Sequence, residues 1–166
     1  MIGLHDFNHL SHEKAFALVH PCVALPDWAD ALVRGRPYAS RDELFSTAKS
    51  LTQTWDNAAL TQALSAHPRI GEKPTGSQAE AALSRQEQGA VNDRDAALAR
   101  ALREGNARYE ARFGRVFLIR AKGRSGEEIL QALHARLENS DAQEVHAALE
   151  QLRDITLLRL EGVIGE

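Results

Sequence analysis

Apolar positions in this chain recur at helical spacing almost throughout. Leu44, Ala48, Leu51 and Trp55 follow one another at three- and four-residue steps, and Leu98, Leu102, Tyr109 and Phe113 make a longer stripe of the same kind. Such spacing places each set on one face of a helix, whereas a half-buried strand needs strict alternation. Start and stop signals separate the stripes. Ser11 is placed to cap a first helix that stops at His20-Pro21. Pro26 suits the first turn of a short helix with Trp28, Ala29, Leu32 and Val33 on one side and Gly35 ending it. Ser40 and Glu43 form a capping box ahead of the Leu44 stripe. Asp56 can cap the next helix, carrying Leu60 and Leu64. That helix must end at His67-Pro68, because a residue before proline is pushed out of the α region.

Further along, Ser77 and Glu80 make a second capping box and open a helix reaching Val91. Asn92 can cap the helix of the Leu98 stripe, which ends at Gly114. Phe117-Leu118-Ile119, between Gly114 and Gly123, is too short for a helix and is predicted extended. Ser125 and Glu128 make a third box before Ile129, Leu133 and Leu137. Asp141 can cap a last helix from Ala142 to Val163. The pattern therefore predicts an all-α fold of about eight helices in a single compact domain spanning residues 1–166. It leaves the order of helix packing open.

Composition narrows the class. At 166 residues the chain can bury a sizeable core without disulfides or a structural metal. Hydrophobic residues at 43% and charged residues at 26% are ordinary for a soluble domain, and aromatics at 5% agree with the weak β signal. A net charge of −3 without a basic stripe argues against nucleic acid or an anionic membrane as partner. The single cysteine, Cys22, cannot form an internal disulfide and fits a reducing cytoplasm. Met1-Ile2-Gly3-Leu4-His5-Asp6 does not read as a signal peptide, and no stretch approaches the roughly 20 apolar residues that span a bilayer. The end, Val163-Ile164-Gly165-Glu166, carries no peroxisomal Ser-Lys-Leu address.

Three places hold candidate chemistry. Residues 67–77, with two prolines and two glycines among charges, form the clearest loop. His67, fixed by the following proline, can exchange protons near neutrality. It equally suits the negative end of a helix dipole, and His20-Pro21 repeats the dipeptide, so on pattern alone the helix-end reading is the better supported. Ser84, Glu87 and Gln88 share one helical face and together can grip a polar ring, although an isolated polar face is more often simply solvated. Arg159 falls near the centre of the apolar stripe Val145, Ala148, Leu149, Leu152, Ile155 and Val163. A guanidinium there requires an anionic partner, from a ligand or from the protein, or else must snorkel to water. The three readings stand side by side. No Cys-x-x-Cys, His-Glu-x-x-His, glycine-rich phosphate loop or Gly-x-Ser-x-Gly elbow occurs, and the seven histidines show no metal-ligand spacing.

At His67-Pro68-Arg69-Ile70-Gly71-Glu72 the chain resembles the OHCU (2-oxo-4-hydroxy-4-carboxy-5-ureidoimidazoline) decarboxylases. The resemblance takes in Phe7-Asn8, Leu10, Ser84, Glu87-Gln88, Asn106, Tyr109-Glu110, Arg112-Phe113-Gly114 and Phe117. It continues through Gly123-Arg124-Ser125 and Glu128-Ile129-Leu130 to Leu158-Arg159-Leu160. Each motif is weak alone; their order and spacing make the likeness specific. It implies an all-helical, cofactor-free, commonly homodimeric lyase that acts on a small ureidoimidazoline and needs no metal. By the same resemblance His67 is the proton donor; on the chemistry of acid–base catalysis, Glu87 can orient or reprotonate it. Pro68, Ser84, Arg85, Gln86, Glu87 and Gln88, and the segment Ile119, Arg120, Ala121, Lys122 and Gly123, line the substrate site, and Arg159 faces substrate. Arg120 departs from the family pattern, where that place is small or neutral. The alternatives are a metal-dependent ureide hydrolase, whose rate a chelator would abolish, and a non-catalytic helical interaction module, which would expose an apolar groove.

Overall fold

Four of the predicted caps are made. Ser11 Oγ accepts from Lys14 N at 3.2 Å, Ser40 Oγ from Glu43 N at 3.1 Å, Asp56 Oδ1 from Ala59 N at 3.0 Å and Ser125 Oγ from Glu128 N at 3.2 Å. Each satisfies an amide that the first helical turn leaves without an intrahelical partner. The computed structural model describes residues 1–67, 69–70 and 96–166. Among them the fold is all-α, with helices α1 (Leu4–His9), α2 (His12–Val19), α3 (Pro26–Arg34), α4 (Arg41–Thr52) and α5 (Asn57–Leu64). After these come α6 (Ala96–Phe113), α7 (Gly126–Arg136) and α8 (Asp141–Val163). No helix among the described residues is long and apolar enough to cross a membrane.

Several boundaries differ from expectation. A helix precedes Ser11, and α2 passes at His20 into a short 3-10 turn, His20–Cys22. The Leu44 helix stops at Thr52, so Trp55 is buried from the following turn rather than from the helix. The last helix is capped by Ser140, not Asp141. Ser140 Oγ accepts from Gln143 N at 3.2 Å, and Gln143 Oε1 accepts from Ser140 N at 2.9 Å, a reciprocal box with glutamine as its second member. Ile2–Gly3 (β1) pairs in parallel with Ile164–Gly165 (β2), a two-residue ladder that local pattern does not reveal. The caps expected at Ser77 and Asn92 lie outside the described residues.

The chain forms two compact units, Met1–Ala63 with Arg153–Glu166, and Leu64–Leu152. In the first, α3 buries Trp28, Ala29, Leu32 and Val33, the face its sequence predicts. Trp28 Nε1 donates to Ala48 O at 3.2 Å, tying α3 to α4. Asn8 grips Tyr38 from both sides, donating to its carbonyl at 2.9 Å and accepting from its amide at 3.0 Å. Arg36 donates to the Phe7 and Leu10 carbonyls at 2.7 and 2.8 Å, satisfying the end of α1.

In the second unit, Ile70, Leu98, Leu102, Tyr109, Phe117, Ile119, Ala121, Ile129 and Leu133 form one buried cluster. A polar knot sits beside it. Glu144, fully buried, accepts from the Tyr109 hydroxyl, from Arg136 and, at 3.0 Å, from Asn139 Nδ2. Arg136 also donates to the Leu118 carbonyl and lies 4.5 Å from the Phe117 ring centroid.

Both tyrosines are held protonated. Burial, then the nearby Glu43 carboxylate, pushes Tyr38 up to about 12 from 10.0. Burial and the hydrogen bond to Glu144 push Tyr109 higher still. Below pH 10 each is neutral folded and unfolded, so the linked stability is fully present and does not change with pH. Above pH 10 the unfolded chain ionises first, and stability falls as pH rises. Each tyrosine should steepen the alkaline loss by up to about 1.4 kcal/mol per pH unit. Urea melts from pH 9 to 11.5 check this: Tyr38→Phe and Tyr109→Phe should each flatten the slope, and unchanged slopes would show the hydroxyls titrating freely.

Candidate active site

His67 follows α5 by one turn, its amide donating to the Leu64 carbonyl at 3.1 Å, and is half-buried. The pair of residues beyond Pro68 is fixed on α6. Arg69 Nε donates to Glu110 Oε1 at 2.8 Å, and Asn106 Nδ2 donates to the Ile70 carbonyl at 2.9 Å. The Ile70 side chain is buried in the central cluster of its unit. Backbone, ion pair and apolar side chain thus hold the histidine segment against one helix. Asn106 and Glu110 are one turn apart, the separation at which two side chains share a helix face.

The second predicted wall is held by different means. Ile119 and Ala121 turn their side chains into the same apolar cluster as Ile70. Those two side chains therefore pack as core, leaving the segment's backbone and the side chains of Arg120 and Lys122 for a ligand. Arg120 N donates to Gln151 Oε1 at 2.9 Å, and Arg120 O accepts from Arg124 Nε at 2.8 Å. Lys122 and Gly123 are exposed, and Gly123 adopts φ +82, the left-handed region that costs other residues. The structure thus brings the His67 loop and residues 119–123 onto one core through Ile70, Ile119 and Ala121.

Arg159 belongs to the other unit. It is only 4% exposed, which rules out snorkelling, and its NH1 donates to the Cys22 carbonyl at 3.3 Å. Pro68, Ser84, Arg85, Gln86, Glu87 and Gln88 lie outside the described residues. His20, the sequence control for His67, sits in the 3-10 turn with its ring stacked on Phe16 at 4.9 Å.

Pattern reasoning missed the supports: Asn106, Glu110, Gln151 and Glu144. A signal existed for two of them. Asn106 interrupts the buried face Leu98, Leu102, Gly105 and Tyr109, and Glu144 stands one turn before Ala148 on the buried face of α8. A polar residue on an apolar stripe is the sign that singled out Arg159.

These features define an all-α protein that presents a helix-end histidine on a braced loop. The chain belongs to the OHCU decarboxylase family, whose model matches residues 8–161. It is 33% identical over 166 residues to a 2-oxo-4-hydroxy-4-carboxy-5-ureidoimidazoline decarboxylase of Amia calva, covering 98% of this chain and 95% of that protein. A uric acid degradation bifunctional protein of Arabidopsis thaliana is 33% identical over 154 residues, 87% of this chain and 46% of that protein. The crystal structure of an OHCU decarboxylase in the presence of (S)-allantoin superposes with a TM-score of 0.72 at 27% identity, covering 88% of this chain and 96% of that one. A crystal structure of (S)-allantoin synthase, at 20% identity and a TM-score of 0.73 over 99% of this chain and 54% of that one, shares the fold.

Gly123 supplies a test of the loop's construction. A Cβ built on it meets nothing within 4 Å, so Gly123→Ala is strained only by its backbone. The substitution should cost about 1–2 kcal/mol, read as a lowered urea midpoint with an unchanged m-value. No loss would mean that the loop has a second, φ-negative conformation of equal energy.

Proposed function

We propose that this chain is a lyase that decarboxylates 2-oxo-4-hydroxy-4-carboxy-5-ureidoimidazoline to (S)-allantoin and CO2, the last step from urate to allantoin. The observation that carries this reading is the family match, which runs across both compact units from residue 8 to residue 161. The same span supports treating residues 1–166 as one catalytic domain.

The chemistry is open to acid–base groups alone. The substrate carbon that loses CO2 bears a hydroxyl and adjoins a C=N bond. As the C–C bond breaks, its electron pair moves into that C=N, and the nitrogen takes a proton. The enol left behind becomes the carbonyl of allantoin when the neighbouring carbon gains a proton and the hydroxyl loses one. The substrate therefore contains its own electron sink, so the reaction calls for no pyridoxal or thiamine group and no metal. His67 is the proton donor in this scheme, suited by an imidazole that exchanges protons near neutrality. Glu87 orients or reprotonates it. Pro68, the Ser84–Gln88 segment and residues 119–123 hold the ring and ureido amides, and Arg159 takes the substrate carboxylate through a charge-assisted pair. What supports these roles is the motif resemblance, the bracing of the His67 loop and its shared core with residues 119–123. We also place the protein in the cytoplasm as a homodimer, on the resemblance and on a cysteine content of one.

Fresh substrate generated from urate, with allantoin followed by circular dichroism, tests the reading directly. His67→Asn should lower the rate by about 10²–10⁴-fold, the usual contribution of general acid–base catalysis, while His20→Asn leaves it unchanged. Uncatalysed loss of CO2 has no preferred face, so product from the His67→Asn reaction should drift toward racemic. A folded His67→Asn enzyme making (S)-allantoin at the normal rate would remove His67 from the mechanism.

Arg159 has its own expected outcome. Arg159→Met suits an apolar stripe and should fold, yet bind a substrate-like carboxylate more weakly by about 2–5 kcal/mol. Calorimetry with allantoate as probe measures it. Unfolding of the variant, with binding intact per folded molecule, would make Arg159 a structural residue instead.

A further inference from the structure

We infer that Asn106 is a positioning residue for His67, acting through the Ile70 carbonyl, with the Glu110–Arg69 pair as its partner. The inference rests on the reading of His67 as proton donor. Asn106 is 4% exposed and sits on the apolar face of α6 among Leu98, Leu102 and Tyr109. Packing does not call for an amide there. Its Oδ1 is buried without a hydrogen-bond partner among the described residues, so the amide is unfavourable on that side. Its Nδ2, by contrast, donates to Ile70 O at 2.9 Å. A leucine at 106 would fill the stripe; what it would lose among the described residues is the grip on Ile70.

That grip matters because of where Ile70 lies. Two residues separate it from His67, and consecutive Cα atoms are about 3.8 Å apart, so Ile70 has little slack relative to the imidazole. One of the two is a proline, whose ring fixes φ. The other, Arg69, is itself held by Glu110 at 2.8 Å, one turn further along the same helix. A lateral shift of the loop on α6 is therefore passed on to His67. Misplacing a reacting group by about 1 Å costs up to about 10²-fold in rate. The Asn106 amide, whose Oδ1 meets no partner among the described residues, fixes through Nδ2 the register of the segment that carries the proposed proton donor.

The experiment is a double-mutant cycle on the decarboxylation assay, with Asn106→Leu, Glu110→Gln and His67→Asn. Asn106→Leu should keep its thermal midpoint within a few degrees, lose about 10- to 10²-fold in kcat and change KM by less than about threefold. In the His67→Asn background the same substitution should lower the residual rate by less than about twofold, because the group it positions is gone. Glu110→Gln breaks a partly exposed ion pair, should fold normally, and should show a smaller kcat loss of about two- to fivefold with the same coupling. Should Asn106→Leu fail to fold, Glu110→Gln decides alone by those criteria. A normal kcat in the folded variant, or a loss that persists undiminished without His67, overturns the inference. The two readings fail separately: a His67→Asn enzyme as fast as wild type sinks the proton-donor role and this inference with it. A slow His67→Asn enzyme beside a fast Asn106→Leu enzyme sinks only the positioning role.

Discussion

Glu144 is a carboxylate with no exposed surface, and three segments of the Leu64–Leu152 unit converge on it. Tyr109 comes from α6, Arg136 from the end of α7, and Asn139 from the connection to α8. A buried ion pair adds little net stability over a well-packed apolar substitute, because desolvation offsets most of the attraction. Removing one partner is another matter, at about 3–5 kcal/mol, since the other charge is left buried alone. The consequence is geometric. Helices that apolar contacts alone would let slide are fixed in register by donors that must meet one pair of oxygens. The knot also reaches outward: Arg136 takes the Leu118 carbonyl, and Arg112 takes the Asn139 carbonyl at 2.7 Å. The irregular segment after Gly114 is thereby held without help from a sheet, and its buried carbonyl at Leu118 is satisfied.

Helix α6 links this knot to the candidate active site. Tyr109 meets Glu144, while Asn106 and Glu110 meet the segment after His67. Residues 106 and 110 stand one above the other, and 109 is rotated away from 110 by about 100°, so a single helix serves two neighbours at once. Residues 119–121 complete the arrangement, with Ile119 and Ala121 in the core beside Ile70 and Arg120 N held by Gln151. Rigid support for residues on otherwise irregular segments is the usual condition for a loop-built site to hold its geometry. The family motif Asn106, Tyr109-Glu110, Arg112-Phe113-Gly114 gains a physical content from this. Each polar member holds a loop or the knot, and Gly114 adopts φ +73 where the helix must stop.

Much of this was legible in the sequence, for reasons that are local. Ser11, Ser40, Asp56 and Ser125 cap where side-chain oxygen and following amide are neighbours in the chain, and the buried face of α3 follows from periodicity. Asp141 failed as a cap because Ser140 beside it does the same chemistry and has Gln143 to close the box. The β1–β2 pairing joins residues at opposite ends of the chain and leaves no short-range signal. Arg159 stood out as a charge on an apolar stripe and is indeed buried, but its donation to Cys22 O spans the chain from one end to the other and is a tertiary fact. Asn106 carried the same signal in weaker form. An amide on an apolar face is less conspicuous than a guanidinium, although the physical question of what satisfies it is the same.

The demands of the reaction explain why so much of the structure braces so few groups. On the proposed mechanism the substrate supplies its own electron sink, and what the protein adds is the placement and timing of protons. A single enantiomer requires the proton to reach one face of a planar intermediate before water reaches either. With His67 as the proposed donor, that is a constraint on the direction and distance of one imidazole, and a histidine just past a helix end does not meet it unaided. A following proline restricts the backbone of the residue before it, but such a local restriction orients the chain only relative to itself. The reference frame has to come from a separate element. Here α6 provides it: through Asn106 and Glu110 it holds the two residues beyond the proline, and through Tyr109 it is locked to Glu144. The buried carboxylate and the segment after His67 are therefore connected by one helix, and on the proposed mechanism the rigidity of the first is the condition on which the histidine can be stereoselective.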